Sequence, residues 1–561
     1  MCDDPAGSAG TLILWVLTSM RNKTTITLAL MLACPAFSAQ AQDTAATRTP
    51  IKHLIVIFQE NVSFDHYFGS YPVAANPAGE PPFSALPGTP AVNGLGPELL
   101  NHNPNALNPA NGSGASNPFR LDRTQAASAD QEHAYAAQQH AFNNGSMDLF
   151  PLHTGNASAG GVGAFGSSGQ VMGYYDGNTV TALWNYAQHY AMSDNYYGTT
   201  FGPSTVGAIN LVSGQTNGAL SHATPAADGA IHEYKDHNGV PDATLVPDGQ
   251  GGLTDIGDDD PIGDICSSTK QPDFTMNGPN IGDLLNARHI SWGFFTGGFA
   301  LQPSADDPVG CHHGHRSSVT GIARPDYIPH HEPFQYYAST ANPKHLPPAS
   351  VAVIGSSQDG GANHQYDLSD FYAALQAGHL PAVSYLKAPA YQDGHAGYSD
   401  PLDEQAFVVE AVNAIQASPL WKDSAIIITY DDSDGWYDHA SAIVNGSSTP
   451  ATGFDSLAAC TSPQAPVLKG LAGKPVQGRC GHGPRLPLLL LSPWARHNYV
   501  DHGLTDQTSI LRFIEDNWLG GQRIPGSFDA RAGSLKPLFN FRAAPQRQAL
   551  LLDAGTGEPH N

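Results

Sequence analysis

Apolar residues in this chain gather in short uninterrupted runs, and polar residues follow those runs at once. Ile51–Phe58, broken only by Lys52 and His53, leads into Gln59-Glu60-Asn61; Ala425–Thr429 leads into Tyr430-Asp431-Asp432; Leu486–Leu491 leads into Ser492-Pro493-Trp494. Runs that are too short for helices, and apolar at successive rather than alternate positions, predict strands buried on both faces. Ala382–Leu386 predicts another strand. Helices are predicted over Asp130–Phe142, Thr179–Tyr190, Leu368–Leu375, Leu402–Gln416 and Thr508–Glu515. In Leu402–Gln416, Val408, Val409, Val412 and Ile415 recur near helical spacing. Buried strands interleaved with helices predict an α/β fold with a three-layer core rather than an all-β sandwich. The rhythm fails in two places. Residues 72–120 are rich in Pro, Asn, Gly and Ala and read as a surface excursion, and turn residues dominate from Gly229 to Gly278. The chain accordingly divides into a first core part at 50–220, insertions or a smaller domain at 221–350, a second core part at 351–530 and a C-terminal tail at 531–561.

The start of the chain carries an address. Met20-Arg21-Asn22-Lys23 is a short basic start, Thr24–Phe37 is mostly apolar, and Ala39-Gln40-Ala41 offers a small-x-small cleavage site. Residues 20–41 thus read as a secretory signal peptide, with 1–19 as an extension before the true start, and no stable membrane span is expected after cleavage. A retained anchor, or lipidation at Cys34, is the alternative. Export to the periplasm or the medium suits Cys266, Cys311, Cys460 and Cys480, which would form one or two disulfides. Cys460 with Cys480 is the easiest local pair, which would leave Cys266 with Cys311, but spacing does not settle the connectivity. A net charge of −25 argues against a nucleic-acid duplex as partner. It leaves anionic small substrates open, because a cation and a few histidines can reverse the field inside one pocket.

If the strands ending at Gln59 and Tyr430 are neighbours, Glu60, Asn61, Asp431 and Asp432 meet at one site. Three carboxylates together repel one another unless a divalent cation shares them, and the Asn61 amide adds a neutral oxygen. The bland alternative is turn formation with ion pairs to arginine. Ser204, in Gly202-Pro203-Ser204-Thr205-Val206-Gly207, stands where a helix can begin among small residues. An ordinary capping serine has the same look, but a serine there can also face free N–H groups that hold phosphate oxygens. No Gly-x-Ser-x-Gly elbow surrounds it, which argues against a lipase-type triad. His133, His330, His331, His364 and His395 sit among polar or turn residues, and His312, His313 and His315 form a local patch beside Cys311. Arg316 and Arg485 could neutralise phosphate, or equally cap carbonyls and pair with acids.

Several motifs resemble one family. IKHLIVIFQENVSFDHYFG at 51–69, TTFGPSTVGAINLVSGQT at 199–216, PHHEPFQYY at 329–337, YQDGHAGYSDP at 391–401, TYDDSDGWYDH at 429–439 and GHGPRLPLLLLSP at 481–493 are similar to the bacterial phospholipase C and acid phosphatase phosphoesterases, distant relatives of alkaline phosphatases. The resemblance implies an alkaline-phosphatase-like three-layer core with large insertions or a smaller accessory domain. It implies one divalent metal ion (Ca, Mg, Mn, Fe or Zn) held by Glu60, Asn61, Asp431, Asp432 and Ser204. It also implies Ser204 as the nucleophile, with His331, His395 and His133 contacting phosphate or handling protons, His395 provisionally as proton donor to the leaving oxygen. The phospholipase branch often has Thr at the position of Ser204, and Asp-Glu-His-Gly-Gly where this chain has Asp431-Asp432-Ser433-Asp434-Gly435. Both departures favour an acid phosphatase acting on phosphomonoesters through a phosphoserine. A phospholipase C acting on phospholipids is the alternative, and an exported carbohydrate-binding or scaffold protein is the non-enzymatic one.

Overall fold

The computed structural model describes residues 46–235, 241–268, 273–442, 454–458, 460, 468–546 and 548–560. The expected leader at 20–41 and the extension at 1–19 lie outside them. Eight strands form the central sheet, in the order Gln365–Asp367, Trp292–Thr296, Val383–Lys387, His53–Gln59, Ser424–Tyr430, Leu488–Leu491, Ala191–Ser193, Tyr499–Asp501. The first five run parallel, and Leu488–Leu491 runs antiparallel to both its neighbours. His53–Gln59 and Ser424–Tyr430 lie in its middle, which is why Leu54–Phe58 and Ala425–Ile428 are buried on both faces and apolar throughout.

Helices Thr181–His189 and Pro401–Ala417 pack on each other, as do Ser204–Ser213 and Thr508–Trp518. The whole is consistent with an alkaline-phosphatase-like α/β/α architecture. Pro401–Ala417 starts where Asp400 accepts from the Leu402 and Asp403 N–H groups and Pro401 occupies the first turn, where its missing donor costs nothing. No helix among the described residues is long and apolar enough to cross a membrane.

Between residues 217 and 276 the chain builds a six-stranded sheet, mostly antiparallel. Trp292–Thr296, inside the 221–350 interval read as insertions or a smaller domain, is a strand of the central sheet. Its Trp-Gly-Phe-Phe-Thr sequence is buried at all positions, but Gly293 and a single short run hide it among the surrounding turns. The 531–561 segment lies against the core: Leu552 is fully buried, and Asn413 donates to its carbonyl at 2.7 Å. The four cysteines among the described residues pair as Cys266–Cys311 and Cys460–Cys480.

Candidate active site

Register assembles the site. His53–Gln59 pairs with Ser424–Tyr430 in parallel, with Gln59 opposite Tyr430, so the next residues of both strands leave the sheet side by side. Glu60-Asn61 and Asp431-Asp432 therefore meet at the carboxyl edge of the sheet, the usual place for a site in an open α/β fold. All four are buried. Asn61 has φ of 61°, a left-handed conformation that asparagine tolerates better than most side chains. Its backbone N–H donates to Asp431 Oδ1 at 2.8 Å, and the Asp432 N–H donates to the same oxygen at 2.7 Å.

The Ser204–Ser213 helix brings the hydroxyl. Its first-turn Thr205 N–H donates to Asp258 Oδ1 at 2.8 Å, so a carboxylate from another segment caps the helix. Gly207 permits the close approach: a Cβ there would lie 2.1 Å from the Asp431 carbonyl oxygen. Ser204 Oγ then stands 3.0 Å from Glu60 Oε2, 3.3 Å from Asn61 Oδ1 and 3.2 Å from Asp432 Oδ2.

A hydroxyl has one proton, and all three neighbours are acceptors. At most one of these approaches is a hydrogen bond, and the others set lone pairs against lone pairs. Oxygens about 3 Å apart are what neighbouring ligands adopt on a small divalent cation with bonds of about 2.1 Å. Asp431 Oδ2 is buried with no hydrogen-bond partner among the described residues, a further oxygen that a cation would satisfy. Burial, reinforced by Asp431, holds the Asp432 carboxyl well above its ordinary range, as expected of a carboxylate short of positive charge. The donor set is all oxygen, so the residues fit one hard or borderline divalent ion.

Lys387 was not singled out from the sequence. It ends the Val383–Lys387 strand, is buried, and forms an ion pair with Glu60 Oε1, leaving Oε2 to Ser204. Burial lowers its pKa despite the carboxylates of Asp431, Asp393 and Asp432. His331 Nδ1 lies 3.4 Å from the same Glu60 oxygen, and burial, aided by His330, His395 and Arg324, holds its imidazole neutral.

Asp434 was missed as well. Asn61 Nδ2 is 3.3 Å from Asp434 Oδ1 and 3.4 Å from His133 Nε2. Asp130, His133, His395 and Asp434 place ligand atoms within 4.8 Å of one another, so this cluster too is metal-competent. Burial alone would lower the His133 pKa, but Asp432, Asp434, Asp130 and Asp258 raise it well above the ordinary imidazole value. His395, with Nδ1 2.6 Å from the Ala396 carbonyl, is lowered by burial. Both rings line a cavity of about 480 Å³, together with Asp130, Glu132, Asp258, Arg324, His330, His331 and Tyr398. The structure thus brings together Glu60, Asn61, Ser204, Asp431, Asp432, His133, His331 and His395.

Other residues considered from the sequence lie elsewhere. His364 stacks on Trp292 and faces its carbonyl. Arg485 pairs with Asp65 and Asp438. Arg316 is on an exposed hairpin strand.

Behind the site, Glu404 is buried and accepts from Tyr67 at 2.8 Å and Tyr430 at 2.5 Å. Burial pushes its carboxyl up to about 8 from an ordinary 4.5. Because the folded value lies above the unfolded one, its contribution is complete below about pH 4.5 and is lost as pH rises through about 8. A shift of this size corresponds to as much as a few kcal/mol. Glu404→Gln, which stays neutral, is expected to flatten the fall in Tm between pH 5 and 8. An unchanged Tm–pH curve would assign that fall to other groups.

Comparison with known proteins places the chain in a family. The Phosphoesterase family matches residues 51–519. Phospholipase C B of Mycobacterium tuberculosis is 23% identical over 523 residues, covering 90% of this chain and 80% of that protein. Non-hemolytic phospholipase C of Pseudomonas aeruginosa is 23% identical over 506 residues, covering 88% of this chain and 57% of that protein. Among solved structures, murine ectonucleotide pyrophosphatase/phosphodiesterase 5 aligns at a TM-score of 0.25 with 11% identity, over 64% of this chain and 95% of that one. With its match running from the first core strand through the last core helix, this chain belongs to the Phosphoesterase family of alkaline-phosphatase-like enzymes, as a metal-binding hydrolase of the phosphoesterase and phospholipase C type.

Proposed function

We propose that the protein is an exported acid phosphatase that hydrolyses phosphomonoesters of polar alcohols through a phosphoserine at Ser204. The observation that carries this reading is the approach of Ser204 Oγ to Glu60, Asn61 and Asp432 at the edge of an open polar cavity. Bound at Glu60, Asn61, Asp431, Asp432 and Ser204, a divalent cation would neutralise the carboxylates and lower the hydroxyl pKa by Lewis-acid polarisation.

The chain's own residues account for the remaining steps. Glu60 Oε2 and Asp432 Oδ2 are within reach to accept the Ser204 proton. Ser204 Oγ attacks phosphorus, and the bond between phosphorus and the ester oxygen breaks. His133, more readily protonated than His395 or His331, gives its proton to the departing oxygen, and His395 and His331 contact the phosphoryl oxygens. This assignment prefers His133 to the provisional donor His395, whose imidazole pKa burial lowers. Water then cleaves the phosphoserine and releases inorganic phosphate.

The cavity lining favours polar leaving groups. Its acids, Arg324 and histidines outnumber the apolar Ala134, Pro203 and Ile328, which offer little surface to acyl chains. A phospholipase C acting on phospholipids is the second reading, favoured by the names of the bacterial relatives. Assays of the same preparation on a small phosphomonoester and on phosphatidylcholine vesicles separate the two. The monoesterase reading expects kcat/KM at least tenfold higher on the monoester; turnover confined to the vesicles would replace it with the second. Both disulfides support a periplasmic or secreted setting.

A further inference from the structure

Away from the catalytic cluster, a hairpin carries three donors in a metal-ligating arrangement. Gly314–Arg316 pairs antiparallel with Ala323–Pro325, with Gly314 opposite Pro325. One step further out, His313 meets Asp326, whose N–H donates to the His313 carbonyl at 3.0 Å. His313 and His315 are two residues apart, so both side chains fall on the same face of an extended segment. That face is the one Asp326 occupies. His315 Nδ1 is 2.8 Å from Asp326 Oδ2, and His313 Nδ1 is 3.3 Å from the same oxygen. The two rings stand 5.4 Å apart at 84°. The three residues place ligand atoms within 4.8 Å of one another.

From this geometry we propose that His313, His315 and Asp326 form a surface site for a borderline divalent cation of the Zn²⁺ class, separate from the catalytic ion. Two imidazoles and one carboxylate are the donor types that such ions prefer over the hard Mg²⁺ and Ca²⁺. Three protein donors leave a fourth tetrahedral position, and the half-exposed imidazoles turn that position toward solvent.

The site is held in shape before any ion arrives. The Cys266–Cys311 disulfide fixes the strand two residues ahead of His313. Asp326 is buried, and its Oδ1 also accepts from the His315 N–H at 3.1 Å. The Tyr391 ring lies against His315 at 4.9 Å. Little side-chain freedom is left to lose on binding, which favours affinity. The opposite strand carries Arg324 into the catalytic cavity, where its guanidinium lies 4.3 Å from the Tyr398 ring. An ion at the hairpin therefore ties together the two strands that position Arg324.

The competing account is a carboxylate paired with two imidazoles and no affinity for metal. Zn²⁺ titration of the full chain by equilibrium dialysis, with bound metal counted by elemental mass spectrometry, decides between them. Wild type is expected to bind one more Zn²⁺ per chain than the double variant His313→Ala, His315→Ala. Asp326→Asn is expected to weaken that ion by more than about tenfold. His312→Ala, whose Nδ1 faces Asp307 instead, is expected to bind as wild type does. As a second readout, Zn²⁺ is expected to protect His313 and His315 from diethylpyrocarbonate in wild type, mapped by peptide mass spectrometry. Equal stoichiometry in the double variant, or unprotected modification of both histidines at saturating Zn²⁺, would overturn the proposal. Because catalysis is not read, the result stands apart from the assignment of Ser204.

Discussion

Ser204→Ala is expected to lower kcat by about 10²-fold or more while the protein remains folded. The hydroxyl is buried at the start of the Ser204–Ser213 helix, with Glu60, Asn61 and Asp432 oxygens around it. Its removal takes away the atom that would become bonded to phosphorus, and the neighbouring Thr205 hydroxyl does not replace it, since Thr205 Oγ1 faces the His330 carbonyl at 3.4 Å. The methyl of alanine fits the space, so loss of activity need not come from misfolding. Steady-state kinetics with a circular dichroism check on the variant makes the comparison. Near-normal kcat in folded Ser204→Ala would remove Ser204 as nucleophile.

Arg485→Met is expected to cost roughly 3–5 kcal/mol of stability, the range for breaking a buried charge cluster by deleting one partner. The guanidinium is fully buried and donates to Asp65 at 2.8 Å, Asp438 at 3.1 Å, and the Asn93 and Asp194 carbonyls at 2.6 and 2.9 Å. Its plane lies 4.3 Å from the Phe64 ring. It fastens the turn after Asn61 to the turn after Asp434, the two segments that frame the site. Without it, two carboxylates are left in the interior, with His439 the remaining cation partner of Asp65. Urea unfolding of the two proteins checks the loss; a change under about 1 kcal/mol would mean that the cluster relaxes or protonates at little cost.

The central strands were legible because burial on both faces leaves a plain sequence trace. Ile51–Phe58 and Ala425–Thr429 have no polar side to obscure them, and the observed strands differ from those runs by one or two residues at each end. Their neighbouring positions stood in the sequence only as a condition for the three carboxylates and the amide to meet, and it is the parallel pairing of the two strands that supplies it. Trp292–Thr296 was not legible, since one short strand set among turns looks like any local apolar cluster.

The site divides along the same line. Residues inside motifs, such as Ser204, His331 and His395, were visible. Lys387 and Arg324 were not: Lys387 lies just past the predicted strand Ala382–Leu386 and reaches Glu60 only through the sheet register, and Arg324 sits in a segment with no local signature that the hairpin carries to the cavity. Asp434 was visible only as a departure from the motif of the phospholipase branch; its contact with His133, at 3.3 Å, depends on a turn that brings residues 130–133 across from 434. Arg485 shows the limit of reading charge alone, since a buried arginine among acids serves packing as well as it could serve phosphate.

The most direct test is a rapid acid quench of the metal-replete enzyme during turnover of a ³²P-labelled phosphomonoester, followed by peptide mapping. Phosphoserine survives acid, whereas phosphohistidine does not. The account expects up to one label per chain, on the peptide that contains Ser204. Full turnover with no acid-stable label at any quench time, or label on another serine, would contradict it.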